Sequence, residues 1–207
     1  MFITFEGPEG AGKTTAIGMI SNQLRDRGES VVVTREPGSG ELGAKIREIL
    51  LHGNGMPPES ELFLFLADRA NHVATVILPA LDRREIVLCD RYADSTLVYQ
   101  SLVRGLDEDF VRHANRFATG DLQPELTFLL DIDPVVGLAR LKSKDRMDRE
   151  PIEFHQKVRD GFLALAMAEP DRWRVLDASM SSELIVAAFF DWYDNERAGQ
   201  RAFEFSS

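Results

Sequence analysis

Residues 2–15 read Phe2-Ile3-Thr4-Phe5-Glu6-Gly7-Pro8-Glu9-Gly10-Ala11-Gly12-Lys13-Thr14-Thr15, and this stretch decides the fold. Its first part is apolar and β-branched, as a buried strand requires. It runs straight into GPEGAGKT, a full match to GxxxxGK[ST], and a helical pattern follows. Glycines let such a loop turn its backbone N–H groups onto phosphate oxygens at a helix N-terminus. Lys13 adds charge near the outer phosphates, and the Thr14 hydroxyl is the expected ligand for Mg²⁺. Gly7, Pro8, Glu9, Gly10, Ala11, Gly12, Lys13, Thr14 and Thr15 are therefore the expected nucleotide-binding residues. The loop alone does not say which reaction the phosphate enters.

Outward from this loop, strand-length apolar runs alternate with helical stretches. SVVVT (Ser30–Thr34), EIVLCD (Glu85–Asp90), LTFLLD (Leu126–Asp131) and RVLDA (Arg174–Ala178) read as strands. They lack polar alternation, as in a parallel sheet covered on both faces. Lys13–Gly28 and Glu59–Leu81 are long enough for crossover helices. The pattern predicts an α/β fold of the P-loop NTPase type: a doubly wound, five-stranded parallel sheet with helices on both faces. Residues 1–195 read as one domain, and 196–207 as a loosely held tail without clear period. In Glu59–Leu81 the consecutive Leu62, Phe63, Leu64, Phe65 and Leu66 point all round the helix axis, so several sides need a cover.

The chain has 207 residues and a net charge of −10, which argues against sequence-independent nucleic-acid binding. No uninterrupted apolar run has the ~18 residues of a membrane span. MFITFEGPEG lacks the basic start of a signal peptide, so a cytoplasmic location is expected. The single cysteine, Cys89, falls within an apolar run and reads as a buried, inert thiol. His52, His72, His113 and His155 show no metal-ligand spacing and receive no chemistry.

Asp90 ends a buried strand, where a carboxylate reaches Mg²⁺; the plainer alternative is a turn cap. Arg91 follows at once, and a planar guanidinium there is placed to take two phosphate oxygens. Thr34-Arg35-Glu36-Pro37-Gly38 offers another arginine in a stiff turn, or else a solvated β-to-α connection. Residues 140–149, RLKSKDRMDR, carry five basic side chains in ten. That run is either a solvated helix end or a cover for phosphates.

In order and spacing, FEGPEGAGKTT, TREPGS, DRYADSTLVYQ, then RMDRE and FHQKV resemble the bacterial thymidylate kinases, from Phe2 to about Tyr193. The resemblance implies an enzyme that moves the γ-phosphoryl group of ATP onto dTMP, uses Mg²⁺ and works as a homodimer. It implies that Arg35 and Arg91 hold the dTMP phosphate, with Arg47 a further substrate contact. Phe65 and Arg69 resemble the residues that stack on thymine and bond its O4. Gln100 would read the N3 edge, Thr96 would support it, and Tyr99 would crowd the 2′ position. Glu9 matches a carboxylate that contacts the sugar 3′-OH. Residues 140–152 resemble a lid over ATP, in which Arg140 contacts the nucleotide and Arg146, with Lys13 and Arg91, is catalytic.

The match has departures. Ser39 stands where the family usually has a second glycine, and Asp148 replaces a glutamate in the lid pattern. Asp177-Ala178-Ser179-Met180-Ser181 lacks the proline often found near adenine, which leaves the adenine contacts open. A kinase for another nucleoside monophosphate and a P-loop ATP-binding regulatory module are the alternatives.

Overall fold

In the computed structural model, which describes residues 1–53 and 55–204, five strands form: β1 (Phe2–Glu6), β2 (Val31–Arg35), β3 (Ile86–Asp90), β4 (Leu126–Asp131) and β5 (Trp173–Asp177). All pair in parallel, in the order β2-β3-β1-β4-β5. The helices are α1 (Lys13–Asp26), α2 (Gly40–His52), α3 (Pro58–His72), α4 (Leu78–Asp82), α5 (Ala93–Thr96), α6 (Glu108–Thr119), α7 (Pro134–Ala139), α8 (Ile152–Ala168) and α9 (Ser182–Glu204). Successive side chains of a strand face opposite ways, and each face of the sheet builds its own core. Ile3 and Phe5 of β1 and Phe128 of β4 pack with Ile17 and Ile20 of α1 and Phe189 of α9. On the other face Phe2, Val87 and Cys89 meet Val73, Ile77 and Ala80, while Leu129 meets Leu62, Val98 and Phe162. Full burial of each such side chain contributes about 1.5–3 kcal/mol.

The central strands are buried except at the terminal Asp90 and Asp131, but β2 and β5 are not, contrary to the uniform cover expected of them. They are the two edges of the sheet, and Val33 and Val175 stay exposed there. Cys89 is buried as expected, and its surroundings push the thiol pKa well up.

The apolar helix expected over 59–81 runs from Pro58 to Asp82, with a π-helical turn at Val73–Ile77 between α3 and α4. Pro79 gives the physical reason: a proline ring crowds the carbonyl four residues earlier, and a widened turn relieves that. This helix is long and apolar enough to cross a membrane by length and composition. It also buries Glu61, Asp68, Arg69 and His72, which places it as a core helix of the domain.

Helix α9 continues through 196–204, within the stretch read as a tail; residues 205–207 lie outside the described residues. Tyr193 and Arg197, one helical turn apart, both donate to Glu29 Oε1, at 3.0 and 2.5 Å, and hold α9 against the α1–β2 connection.

The phosphate loop is seated by backbone packing. A Cβ on Gly7 would lie 2.4 Å from the Leu130 carbonyl oxygen, and one on Gly10 would lie 1.9 Å from that of Gly137 in α7. Seen from the other side, a Cβ on Gly137 would meet the Glu9 carbonyl oxygen at 2.3 Å. Helix propensity alone makes Gly→Ala stabilising by about 1 kcal/mol. Gly137→Ala is instead expected to lower stability by about 1–3 kcal/mol, as overpacking does. Urea unfolding measures this, and a stabilised variant would show that the loop does not rest on α7.

Candidate active site

Strand register brings the expected residues together. Arg35 pairs with Asp90 across β2 and β3, and Phe5 pairs with Asp90 across β1 and β3. The carboxyl ends of these strands open onto a cavity of about 550 Å³. One wall is the loop from Glu9 to Thr15; the others carry Arg35, Arg47, Phe65, Arg69, Asp90, Arg91, Thr96, Tyr99, Gln100 and Arg140. Gly7 and Pro8 lie beneath it: their carbonyls accept from Lys13 Nζ at 2.9 and 3.0 Å. Burial, reinforced by the Arg91 charge, pulls the Lys13 ammonium down to about 8. The Thr14 hydroxyl donates to Asp90 Oδ2 at 2.8 Å, so these two oxygen groups converge at the loop's edge.

Glu9 is the centre of a polar cluster. Burial disfavours its charge, but donors on three sides outweigh that and hold the carboxyl down to about 2. The donors are His155 Nδ1 at 3.3 Å, Arg91 Nη2 at 3.2 Å and the Tyr99 hydroxyl. Arg91 itself has a left-handed backbone, with φ of 70°, a conformation that costs a non-glycine residue energy. Its N–H donates to the Phe5 carbonyl at 3.0 Å, which locks the turn that aims its side chain at the loop. Burial works against the Arg91 charge, yet Tyr99, Glu9, Glu6 and Asp90 together push its pKa above the ordinary value.

His155 was invisible to the spacing argument. It is buried on α8 and bonds Glu9, and its Nε2 has no partner among the described residues. The FHQKV stretch was the only trace of it in the sequence, and nothing there shows that α8 folds back onto the loop.

The turn after β2 is not a solvated connection. Glu36 is buried and accepts from Arg69 Nε at 2.8 Å and from His72 Nδ1 at 2.9 Å. Arg69 also donates to Thr96 Oγ1, Asn115 Oδ1 and the Tyr92 carbonyl. These bonds use four of the five guanidinium N–H groups. Among the described residues one N–H of Nη2 is left without a partner, and Arg69 lines the cavity. Arg47 donates to the Pro37 carbonyl at 2.8 Å. Burial first, then the nearby positive charge of Arg35, lowers its pKa, which is the mark of a cation cluster that favours an anion.

Arg146 does not line the cavity and is bonded to α2 and α3. Its Nε donates to the Leu50 carbonyl at 2.9 Å and its Nη2 to Glu61 Oε2 at 2.5 Å. Glu61 is buried, and a buried carboxylate draws the nearest cation to itself. Arg140 is the arginine of the 140–149 run that does line the cavity, and it donates to the Ala178 carbonyl at 3.0 Å.

A parallel sheet with this loop after its central strand defines a P-loop NTPase, and the cation cluster opposite the loop suits a second phosphorylated substrate. A family model described as thymidylate kinase matches residues 5–188. The thymidylate kinase of Thermomicrobium roseum is 53% identical over 191 residues, covering 90% of this chain and 91% of its own. That of Desulfovibrio desulfuricans is 48% identical over 198 residues, covering 90% and 91%. The crystal structure of thymidylate kinase from Ehrlichia chaffeensis matches with a TM-score of 0.77 at 32% identity, covering 93% of this chain and 98% of that one. The chain belongs to the thymidylate kinase family, a family of nucleoside monophosphate kinases.

The depressed Glu9 carboxyl makes a pH prediction. A group held at about 2 in the fold and near 4.5 when unfolded stabilises the fold fully above pH 4.5, and the gain is lost as pH falls toward 2. The stability gap between wild type and Glu9→Gln should therefore shrink by about 3 kcal/mol across that window. Urea unfolding at stepped pH measures it; a constant gap would mean that the cluster does not hold the carboxylate.

Proposed function

We propose that this chain transfers the γ-phosphoryl group of ATP to dTMP, giving dTDP and ADP. One observation carries the reading: a single cavity joins the phosphate loop to a cation cluster and to a pocket edged by an aromatic ring and two polar side chains. ATP lies with its phosphates on Gly7–Thr15, where backbone N–H groups and Lys13 meet them. A phosphate replaces the carbonyl contacts of Lys13 and favours its charged form.

Arg35 and Arg91 hold the acceptor phosphate, with Arg47 behind them. Phe65 stacks on the base, the free N–H of Arg69 meets O4, Gln100 meets N3, and Thr96 braces Arg69 through their 2.8 Å bond. Tyr99 crowds the 2′ position, and Glu9, kept ionised, accepts from the 3′-OH. The acceptor oxygen of a phosphate monoester is already anionic at neutral pH, so the reaction needs alignment and charge neutralisation more than a general base. Lys13 and Arg91 supply that charge, and Arg140 adds to it from the 140–152 segment, which we read as the lid.

Thr14 and Asp90 fit Mg²⁺, a hard cation that takes few protein oxygens and keeps its other positions for water and phosphate. When bound, it neutralises charge on the β- and γ-oxygens.

We further propose a homodimer that pairs through α2, α3 and α6. Leu42 and Ile49 of α2, Phe63 of α3, and Phe110 and Phe117 of α6 are large apolar side chains left exposed in the single chain.

A coupled ADP-release assay with a panel of monophosphates tests the substrate. dTMP should exceed dUMP by about 10–200-fold, the worth of one methyl in an apolar pocket. dCMP, UMP and GMP should be far slower, and equal turnover of dTMP and dCMP would overturn the assignment. Light scattering at micromolar concentration tests assembly: twice the chain mass of 23.3 kDa is expected, and a particle of the single mass refutes the dimer.

A further inference from the structure

We infer that Glu61 decides which pyrimidine the cavity accepts, by holding the Gln100 amide in one orientation; the inference rests on the nucleotide reading above. Glu61 lies in the first turn of α3 with only 1% of its surface exposed. Gln100 Nε2 donates to its Oε1 at 2.8 Å, Arg146 Nη2 donates to its Oε2 at 2.5 Å, and Arg104 Nε lies 3.6 Å from Oε1. An ionised carboxylate can only accept hydrogen bonds. The Gln100 amide therefore has to offer its NH₂ to Glu61, since the flipped form would set two acceptors against each other.

The consequence falls on the cavity side. Gln100 lines the cavity, and with Nε2 committed to Glu61 the end it presents there is the carbonyl oxygen, an acceptor. Beside it, Arg69 has one N–H left over, a donor. The wall thus offers one acceptor and one donor in fixed places. A base with a ring N–H next to a carbonyl, as in thymine or uracil, complements that pair. Cytosine carries the reverse, an unprotonated ring nitrogen next to an amino group, and meets like against like. Arg146 and Arg104 flank Glu61 and fix its orientation. That gives Arg146 a positioning task in the same site, acting through Glu61 on the base.

The isosteric change Glu61→Gln tests this sharply. Arg146 needs an acceptor, so the new amide turns its carbonyl to Arg146 and its NH₂ toward Gln100. Gln100 must then answer with its own carbonyl and turn its NH₂ into the cavity. The ratio of kcat/KM for dTMP to that for dCMP should fall at least ~10-fold, with a loss for dTMP and a gain for dCMP. Structural damage alone lowers both rates and leaves the ratio in place; that result would overturn the inference.

The reversed pair Glu61→Gln with Gln100→Glu returns an acceptor-only group to the cavity wall. It should recover the preference for dTMP, and it decides the matter if the single variant fails to fold. A reversed pair that folds and does not raise the ratio above that of the single variant overturns the inference as well. Wild-type enzyme that does not separate dTMP from dCMP would instead sink the substrate reading itself, before any variant is compared.

Discussion

The guanidinium of Arg69 is almost wholly buried, and the acceptor half of the cavity is arranged around satisfying it. Its partners come from the turn after β2, the turn after β3, α5 and α6, so one side chain fixes the relative place of four segments. Such a pair adds little net stability, because taking both charges out of water costs nearly as much as their attraction returns. Breaking it costs about 3–5 kcal/mol, since the surviving charge is stranded. Geometry is therefore what the Arg69–Glu36 pair contributes. Asp68, one residue earlier, receives the Gly38 N–H at 3.2 Å and holds the far side of the same turn. Arg35 leaves β2 at a set angle because the residues after it cannot move.

The charges within the cavity are arranged before any phosphate arrives. Burial works against Lys13 and Arg47, and Arg35 sits close enough to raise the strain on Arg47. A polyanion relieves all of these at once, which is how a fixed site spends little reorganisation when charge moves during phosphoryl transfer. Glu9 is an anion on the phosphate side, and three donors explain how it stays there. Net charge over the whole chain is −10, yet this pocket is locally cationic. Screening over ~8 Å makes the local balance the one a ligand meets.

Two backbone irregularities serve the site. Leu97–Val103 forms a π-helical turn that carries both Tyr99 and Gln100 to the cavity. Adjacent residues of a regular α-helix diverge by about 100°, so both reaching one site fits a widened turn, a form that recurs at functional sites. The left-handed Arg91 is the second irregularity, and it too ends at a side chain of the site.

The sequence by itself determined whatever is encoded locally. The loop from Gly7 to Thr14, the bounds of β1 and β4, the strand-ending Asp90 and the cation at Arg91 all follow from patterns a few residues long, where backbone preference and periodicity suffice. Resemblance added the substrate wall, and the structure brings those side chains to one cavity. What only the tertiary structure decided are the polar partnerships across distant parts of the chain. Glu36 with Arg69, His155 with Glu9, and Glu61 with Gln100 and Arg146 join residues dozens of positions apart. No periodicity announces such pairs, because a buried charge selects its partner by who is near after folding. Arg146 shows this most plainly: its place in a basic run does not foretell its pairing with the buried Glu61.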